Sequence, residues 1–278
     1  MRIIITGGLG QLGKALQIVL SDQDLAILDL PELDITDRLA VEQAFRMIQP
    51  ELVIHCAALT DVDGCARQPE LAYRVNGLGT HNVALACQAH SAEMVHISTN
   101  EVFSGDNPAG YDEWMQPQPI NHYGRSKASA ENHVQTILSR FYIVRTAWLY
   151  GPGGRNFIHA ILERARANGQ LKVVTDEIGN PTYVKDLAEA IAKLIKTRQY
   201  GIYHFINLGA CSRWEFANEI VRVAGLTSVT NTPILNRAYR RASTPPPYGE
   251  LHNNAGAALG ITLRSWREAL ADYMKQYT

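Results

Sequence analysis

The chain has few charges for its length, no long apolar run and few cysteines, and each scarcity excludes something. Charged residues make up 19% of its 278 positions and the formal net charge is −1. No global field therefore gathers nucleic acid or an anionic membrane surface, and an anionic ligand has to be held by local groups. No stretch reaches the roughly 18 apolar residues needed to span a bilayer. The opening "MRIIITGG" lacks the apolar segment and small-residue cleavage region of a secretory signal. A cytoplasmic protein is expected. The four cysteines, Cys56, Cys65, Cys87 and Cys211, contain no CxxC pair, so reduced thiols acting as small hydrophobes are expected rather than a disulfide framework. His55, His96 and His122 stand singly near strand or helix ends, and no metal site is expected. Lysine is scarce as well, with seven in the whole chain.

What is present is a regular alternation. "RIIIT", "LAILDL", "ELVIHCA", "EMVHIST" and "FYIVRTAW" read as strands, and amphipathic stretches of helical period lie between them. Strands apolar on both faces, alternating with helices, predict a doubly wound parallel sheet of Rossmann type over residues 1–150. The Gly/Pro cluster of "LYGPGGRN" marks the boundary. Residues 151–278 are expected to form mainly a smaller, mixed α/β substrate lobe, with helices near 156–168, 213–224 and 265–276. A return segment near 172–198 is expected to pack back on the first domain.

The first strand runs directly into "TGGLGQLG", where Gly8, Gly10 and Gly13 have GxGxxG spacing at the start of a helix. Glycines there permit a tight turn, let backbone N–H groups approach a pyrophosphate and allow close helix packing. A dinucleotide is implied. Asp29 ends the second strand, where a carboxylate accepts from adenosine ribose hydroxyls; this favours NADH, without ruling out NADPH. Asp34 and Ile35 are candidates for the adenine pocket. Ala57 and Ala58, after the third strand, are small enough for a cofactor to lie close.

"NHYGRSKASAE" places Tyr123 and Lys127 four residues apart, on one helical face. With 12 tyrosines and seven lysines in 278 residues, about 0.3 such pairs arise from composition alone, so the pair needs support. The strand-end hydroxyls Ser98 and Thr99 supply it, at the edge where ligands of open α/β sheets bind. Reduction of a ketone by hydride requires an acid as the alkoxide develops. A nearby ammonium is expected to make the Tyr123 phenol more acidic than its ordinary value.

In this order the glycine loop, strand-end hydroxyl and Tyr-xxx-Lys resemble the extended short-chain dehydrogenase/reductase superfamily. Within it the chain resembles the dTDP-4-dehydrorhamnose reductase family, through "TGGLGQLG", "AALTDVDGCARQPELAYRVN", "STNEVFSG", "PINHYGRSKASAE", "RTAWLYGPGGRNF" and "DEIGNPTYVKDLA". The resemblance implies NADPH- or NADH-dependent reduction of the C4 ketone of a nucleotide-linked 6-deoxy-4-keto sugar. It implies Tyr123, Lys127 and Thr99 as catalytic residues, with Lys127 and Tyr123 also touching the cofactor. Gly7, Gln11, Leu12, Thr60 and Asn76 join the cofactor contacts; Asn100, Val102, Trp148, Asn156 and Tyr248 are the expected substrate contacts, with Phe157 near the nucleotide. A homodimer is among the candidate assemblies.

The chain departs from the family pattern in two places. Asn100 and Glu101 stand where members read Asp-Tyr, and "PPPYGELHNN" puts Pro245 where an arginine is expected, with Gly249 and His252 replacing a serine and an aspartate. Arg237, Arg240 and Arg241 either compensate for that arginine or form a solvated basic face. Two other readings share the cofactor site. An epimerase or dehydratase would return the hydride to its sugar, and a regulatory subunit resembling the beta subunit of methionine adenosyltransferase would bind dinucleotide without catalysis.

Overall fold

The computed structural model describes residues 1–154 and 156–275. Five central strands come from the first half: β1 (Arg2–Thr6), β2 (Asp24–Leu28), β3 (Leu52–His55), β4 (Glu93–Thr99) and β5 (Phe141–Thr146). A further strand of the sheet, Gly201–His204, lies beyond the expected boundary at residue 150 and extends the sheet alongside β5. From that edge the order is Gly201–His204, β5, β4, β3, β1, β2, and every pairing is parallel. The chain leaves β1 for β2 on one side and returns for β3 on the other. That reversal opens a crevice at the carboxyl ends of the strands, the position where such sheets bind ligands.

The inner strands β1, β3, β4 and β5 bury both faces, whereas the edge strand β2 is only half-buried. Ile3 and Ile5 of β1 pack with Leu12 and Leu16 of helix α1 (Gln11–Val19), and with Val184, Leu187 and Ile191 of a second helix, Val184–Thr197. Ile4, between them in sequence, points the other way onto Val41, Phe45, Val83 and Val134. This two-residue alternation explains why the strand runs are apolar throughout. The helical segment after residue 68 is divided: Pro69–Ala72 is α-helical, Tyr73–Gly79 is wound as a π-helix and Thr80–Ala89 is α-helical again. Within the π stretch Asn76 turns its amide onto Leu59, accepting from the backbone N–H at 2.7 Å and donating to the carbonyl at 3.0 Å.

The helix that carries the tyrosine, α2 (His122–Ile137), is oriented by polar ties at both ends. Asn121 caps it by accepting from the Gly124 N–H at 2.8 Å, a contact that contributes about 1 kcal/mol. One turn beyond Lys127, the buried Glu131 takes both ends of the Arg145 guanidinium, at 2.9 and 2.7 Å, and the Ser98 hydroxyl at 2.5 Å. Arg145 and Ser98 belong to β5 and β4, so the buried ion pair fixes the helix on the sheet. Removing one partner of such a pair costs about 3–5 kcal/mol.

The later residues build a smaller layer beside the crevice. Gln170–Val174 and Thr230–Ile234 pair in parallel, and two-residue strands at Ile178–Gly179 and Cys211–Ser212 pair antiparallel. Helices α3 (Phe157–Asn168), α4 (Arg213–Val223) and α5 (Trp266–Met274) cover them. The last predicted helical position, 276, lies outside the described residues. No described helix is long and apolar enough to cross a membrane.

Candidate active site

The carboxyl ends of β1, β2, β4 and β5 deliver Thr6, Leu28, Thr99 and Thr146 to one cleft of about 850 Å³. Its floor is the glycine loop. A Cβ at Gly13 would lie 2.6 Å from the Gly7 oxygen and from the Gly8 Cα, and Gly7 has φ +64° with Ala57 backbone 2.6 Å from where its Cβ would be. The loop therefore presses backbone on backbone, as a cradle for a pyrophosphate requires. Asp29 closes the loop from β2: its carboxylate accepts from the Leu9 and Leu30 N–H groups, each at 2.9 Å. These residues fit a dinucleotide along this wall.

Gly7, Gly10, Gln11, Leu12, Gly13, Asp29, Asp34, Ile35, Ala57, Ala58 and Thr60 all line the cleft, and so do Thr99, Tyr123, Lys127, Asn100, Trp148 and Asn156. Five expected residues do not line it, Phe157 among them, whose ring stacks on Phe216 at 5.6 Å. Gly8 sits under the loop, donating to the Leu28 carbonyl and leaving no room between itself and Ile27. Asn76 is fully buried and spends its amide on Leu59 and the Ser126 hydroxyl. Val102 packs in an apolar cluster with Phe103, Tyr111 and Leu251. Tyr248 is exposed, bridged to Ile178. Sequence reading missed Glu101 and Arg213, which both line the cleft. Glu101 adjoins a residue that was expected there; no local signal marks Arg213.

The Thr99 hydroxyl faces the Tyr123 phenol closely enough to act on its acidity. The acidity of the phenol differs from expectation. Burial pushes it well above its ordinary value, the Glu101 carboxylate adds to this, and the Thr99 hydroxyl only partly opposes it. Lys127 is not among the groups that lower it; its ammonium donates to the Ile97 carbonyl at 2.6 Å and meets His96 Nε2 at 3.3 Å. The phenol thus stays protonated, the form that donates a proton in a reduction. Glu101 is itself held above the usual carboxylate range by burial, against the pull of its 2.5 Å bond from Asn121.

Burial holds Lys127 down to about 8, while Glu131 and Cys56 act to raise it. Below that pH the group is a cation, and above it the charge is lost. Affinity for a dinucleotide is therefore expected to fall as pH rises through about 8, and Lys127→Met to lose that dependence. Fluorescence titration of the reduced cofactor across pH reads both.

The histidines have other tasks. His55 lies between the Thr6 and Thr80 hydroxyls at 2.7 and 3.0 Å and is kept neutral by burial, its pKa lowered to about 3. Among the described residues no group of three or more His, Cys, Asp or Glu side chains is placed to hold a metal ion.

The two departures from the family pattern are physically coupled. Asn100 donates through Nδ2 to the Gly249 carbonyl at 3.1 Å, which a carboxylate cannot do. A Cβ at position 249 would lie 2.3 Å from that same nitrogen, so the amide and the glycine require each other. Asn100→Asp is expected to destabilise the fold by about 1–3 kcal/mol by facing a buried carboxylate with a carbonyl; a thermal melt checks it. Of the three later arginines, Arg241 is tied to Glu177 at 3.0 Å and to the Ser243 carbonyl, whereas Arg237 and Arg240 are exposed.

A doubly wound sheet with a glycine cradle, and a Thr-Tyr-Lys set on the wall above it, defines a dinucleotide-binding protein of the short-chain dehydrogenase/reductase class. The RmlD substrate binding domain family model matches residues 1–278, and the chain belongs to that family. It is 37% identical to the spore coat polysaccharide biosynthesis protein SpsK of Bacillus subtilis, over 99% of this chain and 97% of that protein. It is 36% identical to the dTDP-4-dehydrorhamnose reductase of Mycobacterium tuberculosis, over 97% of this chain and 91% of the other. The crystal structure of dTDP-4-dehydrorhamnose reductase from Bacillus anthracis in complex with NADP superposes with a TM-score of 0.96 at 41% identity, covering 99% of each chain.

Proposed function

We propose that this protein reduces the C4 ketone of a nucleotide-linked 6-deoxy-4-keto sugar, dTDP-4-dehydro-β-L-rhamnose to dTDP-L-rhamnose, with NADPH or NADH. The observation that carries the reading is the meeting of Thr99, Tyr123 and Lys127 in the cleft floored by the glycine loop. When bound, the cofactor supplies the hydride to C4. Tyr123, kept protonated, gives its proton to the sugar oxygen as negative charge develops there, and Thr99 orients that oxygen. The Lys127 ammonium has three donors, and the one not taken by Ile97 and His96 is left for the nicotinamide ribose.

The domain reading keeps residues 1–150 for the cofactor and 151–278 mainly for the sugar, with Gly201–His204 and the helix Val184–Thr197 returning to the first part. The four cysteines are free, and burial pushes Cys56 up to about 12 and Cys65 up to about 11. We place the protein in the cytoplasm, where thiols stay reduced.

The test is a panel of 4-keto sugar nucleotides assayed with each reduced cofactor. Net oxidation of cofactor with the 4-keto rhamnose nucleotide is expected. Retained cofactor with no net change would assign an epimerase or dehydratase, and no turnover with any member would defeat the catalytic reading.

A further inference from the structure

Arg213 is the first residue of α4 and reaches the cleft from the smaller layer. Its guanidinium carbon lies 3.6 Å from the ring centroid of Trp148 and 5.1 Å from that of Phe157. Stacking of this kind holds a guanidinium flat and in place. Its acidic neighbour, the buried Glu177, is 3.9 Å away and already takes Arg241 at 3.0 Å. Glu101 lies in the same cleft, yet no ion pair joins it to Arg213 among the described residues. Nor does the Arg213 side chain make a hydrogen bond to any described residue.

Five N–H donors in a rigid fork, of which only Nε faces a carboxylate, Glu177 at 3.9 Å, suit one further kind of partner: an anion with several oxygens, bound bidentately. The other cationic side chains of the cleft are less suited. Lys127 is committed to Ile97 and His96, and Arg74 is exposed. Meanwhile Pro245 occupies the position where the family pattern carries an arginine, and it is buried and without charge.

We infer that Arg213 binds the diphosphate of the nucleotide-linked substrate. The inference rests on the substrate reading given above. Trp148 sets the plane of the guanidinium, and Arg241 supports it indirectly by sharing Glu177, whose nearer partner it is, so that the Nη groups of Arg213 are left for the ligand. Arg213 therefore determines affinity for the nucleotide part of the substrate, while Tyr123 acts on the sugar.

Calorimetric titration of the NADP⁺-saturated protein with dTDP and with thymidine tests this. In Arg213→Gln the dTDP affinity is expected to fall about 10- to 100-fold, the worth of a charge-assisted hydrogen bond or two. Arg213→Lys should lose less, and thymidine and NADP⁺ should bind all three proteins alike, which also shows that the variants are folded. If Arg213→Gln binds dTDP like the wild type, the inference fails while the substrate reading stands. If both variants lose thymidine as well as dTDP, Arg213 shapes the pocket rather than holding phosphate, and the inference fails again. A wild-type protein with no affinity for dTDP would overturn the substrate reading itself, and the inference with it.

Discussion

Tyr123→Phe is expected to lower turnover by about 10²- to 10⁴-fold, the usual contribution of a positioned general acid, while cofactor affinity stays within about twofold of the wild type. The ring keeps its place on α2, and only the hydroxyl and its contact with Thr99 are lost. No neighbour can replace the proton. The Lys127 ammonium is spent on Ile97 and His96, and the Glu101 carboxyl is held by Asn121. Hydride transfer would then leave an alkoxide with no positioned donor. Single-turnover kinetics with the reduced cofactor bound separate this loss from any change in binding. A variant retaining more than a tenth of wild-type turnover would remove Tyr123 from its assigned role.

The second large effect is expected at the glycine loop. Gly13→Val should weaken cofactor binding by more than about 100-fold, because a Cβ there meets the Gly7 oxygen, the Gly8 Cα and the Gly8 oxygen, each at 2.6 Å. All three are backbone atoms, so no side-chain rotation relieves the clash and the loop itself has to move. The N–H groups of the loop then lose the alignment on which pyrophosphate binding depends. Overpacking between loop and α1 should also cost about 1–3 kcal/mol of stability. Fluorescence titration of the reduced cofactor, with circular dichroism as a check on folding, distinguishes the two effects. Unchanged affinity in a folded variant would mean that the loop does not cradle the dinucleotide.

Much of the fold was legible because its determinants are local. Alternating apolar strands and amphipathic helices report burial on two faces, and the Ile3, Ile4, Ile5 run packs as that pattern requires. The glycine spacing and the four-residue Tyr-Lys interval are likewise set within one turn of chain. The Asn76, Val102 and Tyr248 expectations fared differently, since motif position does not tell which way a side chain faces. Asn76 was drawn into the clamp on Leu59, Val102 into an apolar cluster and Tyr248 to the surface.

The sequence by itself determined the sheet, the phosphate loop and the presence of a tyrosine, a lysine and a threonine at a strand edge, because each depends on backbone conformation over a few residues. Only the tertiary structure decided how acidic the phenol is, since burial and the charge of Glu101 raise its pKa and the lysine is not among the groups that lower it. It also decided that Asn100 suits Gly249, 149 residues away, and that Arg213 enters the cleft from a distant helix. Through-space charge, desolvation and close approach depend on which segments meet, and local sequence pattern does not encode that meeting.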